Sequence, residues 1–220
     1  MNLLSLAVAV YQKIKFGPIP NLLGDRDVEY SFIAANLPDK TGKVLDFGSG
    51  GAPLTLIAEL KGYDVTAIDL IKYDTAYITD AKFIQGDILN TTKLRNNYFD
   101  IVINCSSIEH VGLSGRYGIV DDLKDGDLEA MAVLRNVLKK NGIMLLTLPV
   151  GLDLIVKGMH RIYGKSRLTK LLQGFIIQKE QFWIKNSENR WYRVTRDRAL
   201  SIVGSNKYYG LGCFVLKKKK

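Results

Sequence analysis

Apolar positions fall into short continuous runs separated by glycine, proline and aspartate, and stretches of helical periodicity lie between them. Residues 43–47, 63–68, 82–85, 99–104, 143–148, 175–185 and 208–216 are predicted as seven strands. Helices are expected over 28–36, 54–60, 128–140, 166–173 and 196–203. Their ends carry suitable residues: Pro53 opens one, Gly62, Asn141-Gly142 and Gly174 close three, and Asp127 and Thr195 are placed to cap two. Residues 71–80 lack a helical pattern, so the second crossover is expected to be abbreviated. Strands alternating with helices give an α/β fold with an open, doubly wound sheet covered by helices on both faces.

The stretch that organises the rest is Asp46-Phe47-Gly48-Ser49-Gly50-Gly51-Ala52-Pro53, a strand feeding a glycine turn and a helix N-terminus. That arrangement holds nucleotide-like ligands at the carboxyl end of a parallel strand. A dinucleotide loop reads G-x-G-x-x-G, but Pro53 takes the third glycine position. Asp46, two residues before Gly48, would repel a pyrophosphate and suits a ligand bearing an ammonium group. Asp69 ends the second strand, 19 positions after Gly50, near the roughly 20-residue offset at which an acid accepts from ribose hydroxyls. A turn aspartate is the competing role.

Asp46-Phe47-Gly48-Ser49-Gly50 resembles the D/E-x-G-x-G motif of the class I S-adenosylmethionine-dependent methyltransferases. Asp100-Ile101-Val102 followed by Glu109-His110, and the helix, glycine and apolar strand that come next, resemble later segments of that family. The resemblance implies a Rossmann-like, seven-stranded sheet of order 3-2-1-4-5-7-6 with the last strand antiparallel. It implies S-adenosyl-L-methionine as cofactor, with Asp46, Gly48 and Gly50 at the methionine end, Asp69 on the ribose, and Asp87 with Ile88 on the adenine. Phe47, Ser49, Leu70 and Asn104 complete the expected binding set. Asp87 also suits a cap for the turn at Leu89.

Methyl transfer to a hydroxyl needs an aligned acceptor and a base. His110 is the candidate catalytic base, and shaping the pocket is its alternative role; Glu109 reads as a structural or cofactor-side acid. The long insertion 112–126 is expected to be a binding loop, lining the acceptor side together with His160, Arg161 and Tyr163. The string Glu109-His110-Val111-Gly112-Leu113 to Gly118, with His160-Arg161 and Tyr163, resembles a methyltransferase subgroup associated with surface-polysaccharide genes. The acceptor is accordingly expected to be a small molecule or glycan-like.

Composition narrows the alternatives. The chain has 220 residues, a net charge of +9 and two cysteines. Cys105 and Cys213 sit in apolar runs without metal-ligand spacing, and Asn104, not proline, precedes Cys105, so both read as packed thiols in a reducing cytoplasm. The acidic run 121–127 lacks EF-hand spacing, so no metal is expected. Residues from Lys157 onward carry a net charge of +13 and those before it −4, which suggests an anionic acceptor or surface as readily as a solvated face. Two rivals follow: an RNA methyltransferase using the basic C-terminal third with Trp183, Trp191, Tyr192 and Tyr208 as stacking surfaces, and a non-catalytic cofactor-binding protein at a membrane surface. Residues 1–16 are too short to span a bilayer and lack signal-peptide features; an amphipathic helix packed on the domain or resting on a membrane fits them. The chain divides into residues 1–24 as a helical segment and linker, 25–216 as the domain and 217–220 as a basic tail, and its oligomeric state is left open.

Overall fold

The computed structural model describes residues 24–72, 78–115 and 117–219. Expectations placed on residues 1–16 lie outside them. Ten strands are present: β1 Gly42–Phe47, β2 Tyr63–Asp69, β3 Lys82–Gln85, β4 Phe99–Cys105, β5 Leu138–Val150, β6 Leu154–Val156, β7 His160–Ile162, β8 Phe175–Lys185, β9 Trp191–Val194 and β10 Gly210–Lys218. The helices are α1 Asp25–Asn36, α2 Pro53–Leu60, α3 Gly126–Val137, α4 Lys165–Leu171 and α5 Arg196–Leu200, with a 3-10 turn at Ile108–His110.

Eight strands form one sheet of order β3-β2-β1-β4-β5-β10-β8-β9, and β6 and β7 form a separate hairpin. β1 to β5 run parallel, while β10 is antiparallel to both its neighbours. The expected order is therefore present, with β8 and β10 as the sixth and seventh strands. β9 is an eighth strand, paired antiparallel to β8 across a turn at Asn186–Asn189. Sequence reading left that turn unassigned, and Asn189 occupies it with a positive φ of 62°, which asparagine tolerates.

The central strands are buried on both faces, and each face has its own helices. Phe32 and Ile33 of α1 with Leu54 and Ala58 of α2 pack on Val44, Val65, Ile101 and Ile103. Ala130, Met131 and Leu134 of α3, Leu168 of α4 and Leu200 of α5 pack on Leu45, Ile68, Val102 and Leu146 across the sheet. The chain winds one way from β1 to β2 and β3 and the other way to β4 and β5, so a crevice opens beyond the carboxyl ends of β1 and β4.

Several boundaries differ from expectation. The third helix stops at Val137 instead of residue 140, because Leu138 already pairs with Phe99. The next paired residues are Ile101 and Ile143, so residues 139–142 bulge out, with Asn141 at φ 66°. The first helix begins at Asp25, earlier than residue 28, and the last ends at Leu200, short of 203. Thr195 does cap it, its hydroxyl accepting from the Arg198 amide at 3.3 Å. Lys217 and Lys218 are not a solvated tail: both lie in β10, and Lys218 Nζ donates to the Leu138 carbonyl at 2.6 Å. The described residues between 71 and 80 contain no helix.

Candidate functional site

A cavity of about 400 Å³ occupies the crevice. Its floor is Phe47, Gly48 and Gly50 after β1, Asp69 and Leu70 after β2, and Gly86, Asp87 and Ile88 after β3. Cys105, Ser106, Ser107 and His110 follow β4, while Arg26 of α1 and Gly112, Tyr117, Ile119, Asp121 and Leu123 close the remaining sides. A shallower groove of about 520 Å³ lies elsewhere, between α1 and the β8–β9 hairpin, lined by Phe32, Trp183 and Trp191. It touches no parallel-strand end, so the crevice is the chemically equipped site.

The glycine loop is fixed by backbone geometry. Gly48 has φ 70°, its amide donates to the Ile68 carbonyl at 2.8 Å, and a Cβ there would sit 2.1 Å from Ser107 Oγ. Only glycine meets both requirements. The Gly50 amide donates to Asp69 Oδ2 at 2.9 Å, and Ile71 N donates to Asp69 Oδ1 at 3.1 Å. Asp69 thus ties the first loop to the second while lining the cavity. A Cβ on Gly50 or Gly51 would meet nothing within 4 Å, so the loop presents open space to a ligand.

Asp87 has the capping role foreseen for it and also lines the cavity. Its carboxylate caps the turn, accepting from Leu89 N at 3.0 Å and from Asn90 Nδ2 at 2.9 Å, and it lines the cavity beside buried Ile88. Three expected cofactor residues are not on the wall. Asp46 is 2% exposed and accepts from Thr55 Oγ1 at 2.7 Å, beneath the loop; burial pushes its carboxyl up to about 6 despite that bond. Ser49 is buried, with its carbonyl accepting from Ala52 N. Asn104 is fully buried in register with Phe47 and Leu146, and neither polar atom of its amide has a hydrogen-bond partner.

Arg26 is the cation that sequence reading missed. It stands in the first turn of α1, far from any motif, and only the packing of α1 on β4 and β5 brings it to the cavity. Its Nη1 donates to Glu29 Oε2 at 2.6 Å and approaches Cys105 Sγ at 3.7 Å. Glu29 is wholly buried, and its other oxygen accepts from Ser106 Oγ and, at 2.9 Å, from Thr147 Oγ1. Ser106 holds a positive φ of 45°, backbone strain of the kind that clusters at functional sites.

On the opposite side, His110 Nδ1 lies 2.6 Å from the Met159 carbonyl. A carbonyl only accepts, so Nδ1 carries the hydrogen and Nε2 is the proton-accepting nitrogen of the neutral ring. Nε2 is 3.8 Å from Glu109 Oε1, and the His110 ring stands edge-on to Tyr117 at 5.4 Å. Burial pushes the Glu109 carboxyl up to about 8. Gly112, Tyr117, Ile119, Asp121 and Leu123 of the long insertion do line the cavity. His160, Arg161 and Tyr163 do not line it. They are buried beneath the loop, where Arg161 Nη1 donates to the Val111 carbonyl at 2.6 Å and Nη2 to that of Leu123 at 3.0 Å. Asp127 is not a helix cap but the buried acid of this brace, accepting from Tyr163 Oη at 3.1 Å and Arg167 Nε at 2.9 Å, with Arg161 Nε 3.6 Å away. Among the described residues no cluster of three metal-ligating side chains exists, and no helix is long and apolar enough to cross a membrane.

A parallel sheet reversing at β1, a glycine loop after β1 with acids following β2 and β3, and an antiparallel β10 inserted between β5 and β8 define the class I S-adenosylmethionine-dependent methyltransferase fold. Solved structures share it. The 1,6-didemethyltoxoflavin-N1-methyltransferase of Burkholderia thailandensis, solved with 1,6-didemethyltoxoflavin and S-adenosylhomocysteine, is 15% identical over 100% of this chain and 92% of its own, with a TM-score of 0.58. The N-methyltransferase NodS of Bradyrhizobium japonicum WM9 is 12% identical over 89% and 97%, also at 0.58. "Putative methyltransferase YqeM" of Bacillus subtilis (strain 168) is 26% identical over 121 residues, 52% of this chain, and the chain spans 44% of that relative's length. The family model described as "Caenorhabditis protein of unknown function, DUF268" matches residues 70–199, more than half of the chain, and the chain belongs to that family.

Proposed function

We propose that the chain is a methyltransferase that binds S-adenosyl-L-methionine in the crevice and methylates a small-molecule or glycan-like acceptor at oxygen. One observation carries the reading: Gly48, Asp69 and Asp87 meet in a single cavity whose glycine loop lacks the third glycine of a pyrophosphate site. Asp69 suits the ribose hydroxyls, and Asp87, with Ile88 and Leu89 beside it, suits the adenine. Asp46 supports the loop from below through Thr55. Arg26, with Nη1 held by Glu29, suits the methionine carboxylate. Among the described residues none beyond Leu123 lines the cavity, so the described part of the basic C-terminal third takes no part in its wall, which favours a small acceptor over RNA.

The cofactor supplies an electrophilic methyl on a sulfonium. The protein's part is alignment and proton removal. Tyr117, Ile119 and Leu123 would form the acceptor side, and His110 Nε2 would take the proton of the acceptor hydroxyl as it is methylated. Calorimetry with S-adenosylhomocysteine and with methylthioadenosine, which lacks the amino-acid end, tests the binding half. The wild-type chain is expected to bind both, and Arg26→Gln to weaken the former about tenfold, or 1.4 kcal/mol, while leaving the latter unchanged. Binding of neither by the wild type would end this reading.

A further inference from the structure

Two buried carboxyls, Glu29 and Glu109, lie beside the cavity and differ in their partners. Ser106 Oγ donates its only hydrogen to Glu29, whereas Glu109 Oε2 is buried without a hydrogen-bond partner. A carboxyl buried without donors favours its protonated form, so Glu109 carries a proton. Glu29 takes the opposite state. Its oxygens accept from Arg26, Ser106 and Thr147, three donors that hold a carboxylate against the cost of burial. The site thus keeps one charge and one proton on two acids, with the protonated one 3.8 Å from His110 Nε2.

We propose that Glu109 is a positioning residue that sets the charge of His110: as an acid it leaves the imidazole neutral and able to accept, and as a carboxylate it balances the imidazolium formed when the acceptor's proton arrives. The functional part of this rests on His110 being the base of the methyl transfer proposed above. The proton balance is explicit. The acceptor's proton goes to His110 Nε2, and the proton of Glu109 is released to solvent when the carboxylate forms.

The surrounding groups leave Glu109 as the one that titrates in this window. Arg26 on α1 and Arg161 on β7, whose Nη1 lies 3.4 Å from the Glu109 carbonyl, keep their charge throughout. Burial raises Tyr163 beyond β7, Tyr209 before β10 and Cys105 at the end of β4, so all three stay neutral there. Burial raises the Glu29 carboxyl, a shift that the Arg26 guanidinium and the Ser106 and Thr147 hydroxyls oppose, and His160 stacks edge-on to His110 at 6.3 Å.

The chain contains only two histidines, which makes the test direct. Imidazole nitrogen NMR of the full chain, with resonances assigned by their loss in His110→Asn, is expected to show the neutral His110 hydrogen on Nδ1. On raising the pH, the His110 signals are expected to move twice, once for the ring itself and again near pH 8, where Glu109 ionises. Glu109→Gln, which keeps the side chain's shape and cannot ionise, should abolish the second step and leave the first. A wild-type titration without the upper step, or an upper step that survives in Glu109→Gln, would overturn the proposal. The readout needs neither cofactor nor acceptor, so a failure of the proposed activity is seen separately, as absent cofactor binding with the two-step titration intact.

Discussion

Gly48, Asp69 and Asp87 reach the cavity within two residues of a strand end, whereas His110, Val111 and Leu123 are held there by partners 49, 50 and 38 positions further along. The first wall is local: strand, turn and the next strand dictate where each group goes. The second is assembled from a distance by the Met159 carbonyl and the Arg161 guanidinium, both from the β6–β7 hairpin region. In the proposed function the local wall meets the cofactor, which is common to many enzymes, and the assembled wall meets the acceptor, which is peculiar to one. The loop of residues 112–126 can change without disturbing the glycine turn, because the two share no hydrogen bond among those of the described residues.

If that division is right, the walls should fail separately. The largest effect belongs to Arg161→Met. It leaves Arg167 as the one cation on the buried Asp127 carboxylate, beside the Tyr163 hydroxyl, and frees the Val111 and Leu123 carbonyls, so urea unfolding should show a loss of about 3–5 kcal/mol. Affinity of the folded fraction for S-adenosylhomocysteine should stay within about threefold. A comparable loss of affinity would mean that the walls are one unit.

Asp46 gives the next effect, from beneath the cofactor wall. Burial raises its folded-state pKa to about 6, above the ordinary aspartate value. Its contribution to stability is therefore full below about pH 4 and lost as the pH rises through 6. Measured by urea melts, Asp46→Asn should gain about 2–3 kcal/mol on the wild type between pH 4 and pH 7. Parallel pH profiles for the two proteins would contradict the burial argument.

Gly48→Ala places a methyl against Ser107 at a positive φ, and a stability loss of about 1–3 kcal/mol is expected by thermal melt. It should be accompanied by at least about tenfold weaker cofactor binding. The smallest effect is that of Asp69→Ala, which removes the acceptor for Gly50 N and the proposed ribose contact; about tenfold weaker S-adenosylhomocysteine binding is expected by calorimetry. Unchanged affinity would place the ribose elsewhere.

What was legible in the sequence follows the same division. The seven principal strands, the glycine turn and the acid at residue 69 could be read because period, turn chemistry and spacing are local signals, whereas the strand order and the part given to Asp87 came from the family resemblance. Asp46 and Asn104 were assigned to the wall from their place in a motif, but motif position does not say which side of a loop or sheet a side chain takes; both turn inward. Arg26, the brace of Arg161 on the acceptor loop and the inward position of Asp127 depend on packing between segments remote in the chain, which no window of residues reports. The helix expected to continue to residue 140 had a good periodic pattern, and tertiary pairing of Leu138 with Phe99 overrode it.

Hydrogen exchange of the full chain, with and without saturating S-adenosylhomocysteine, tests the central claim most directly. Slowed exchange is expected together at residues 48–52, 69–71 and 87–90, with no change over the β8–β9 hairpin that borders the tryptophan groove. Unchanged exchange at those three strand ends, or protection confined to the tryptophan groove, would contradict it.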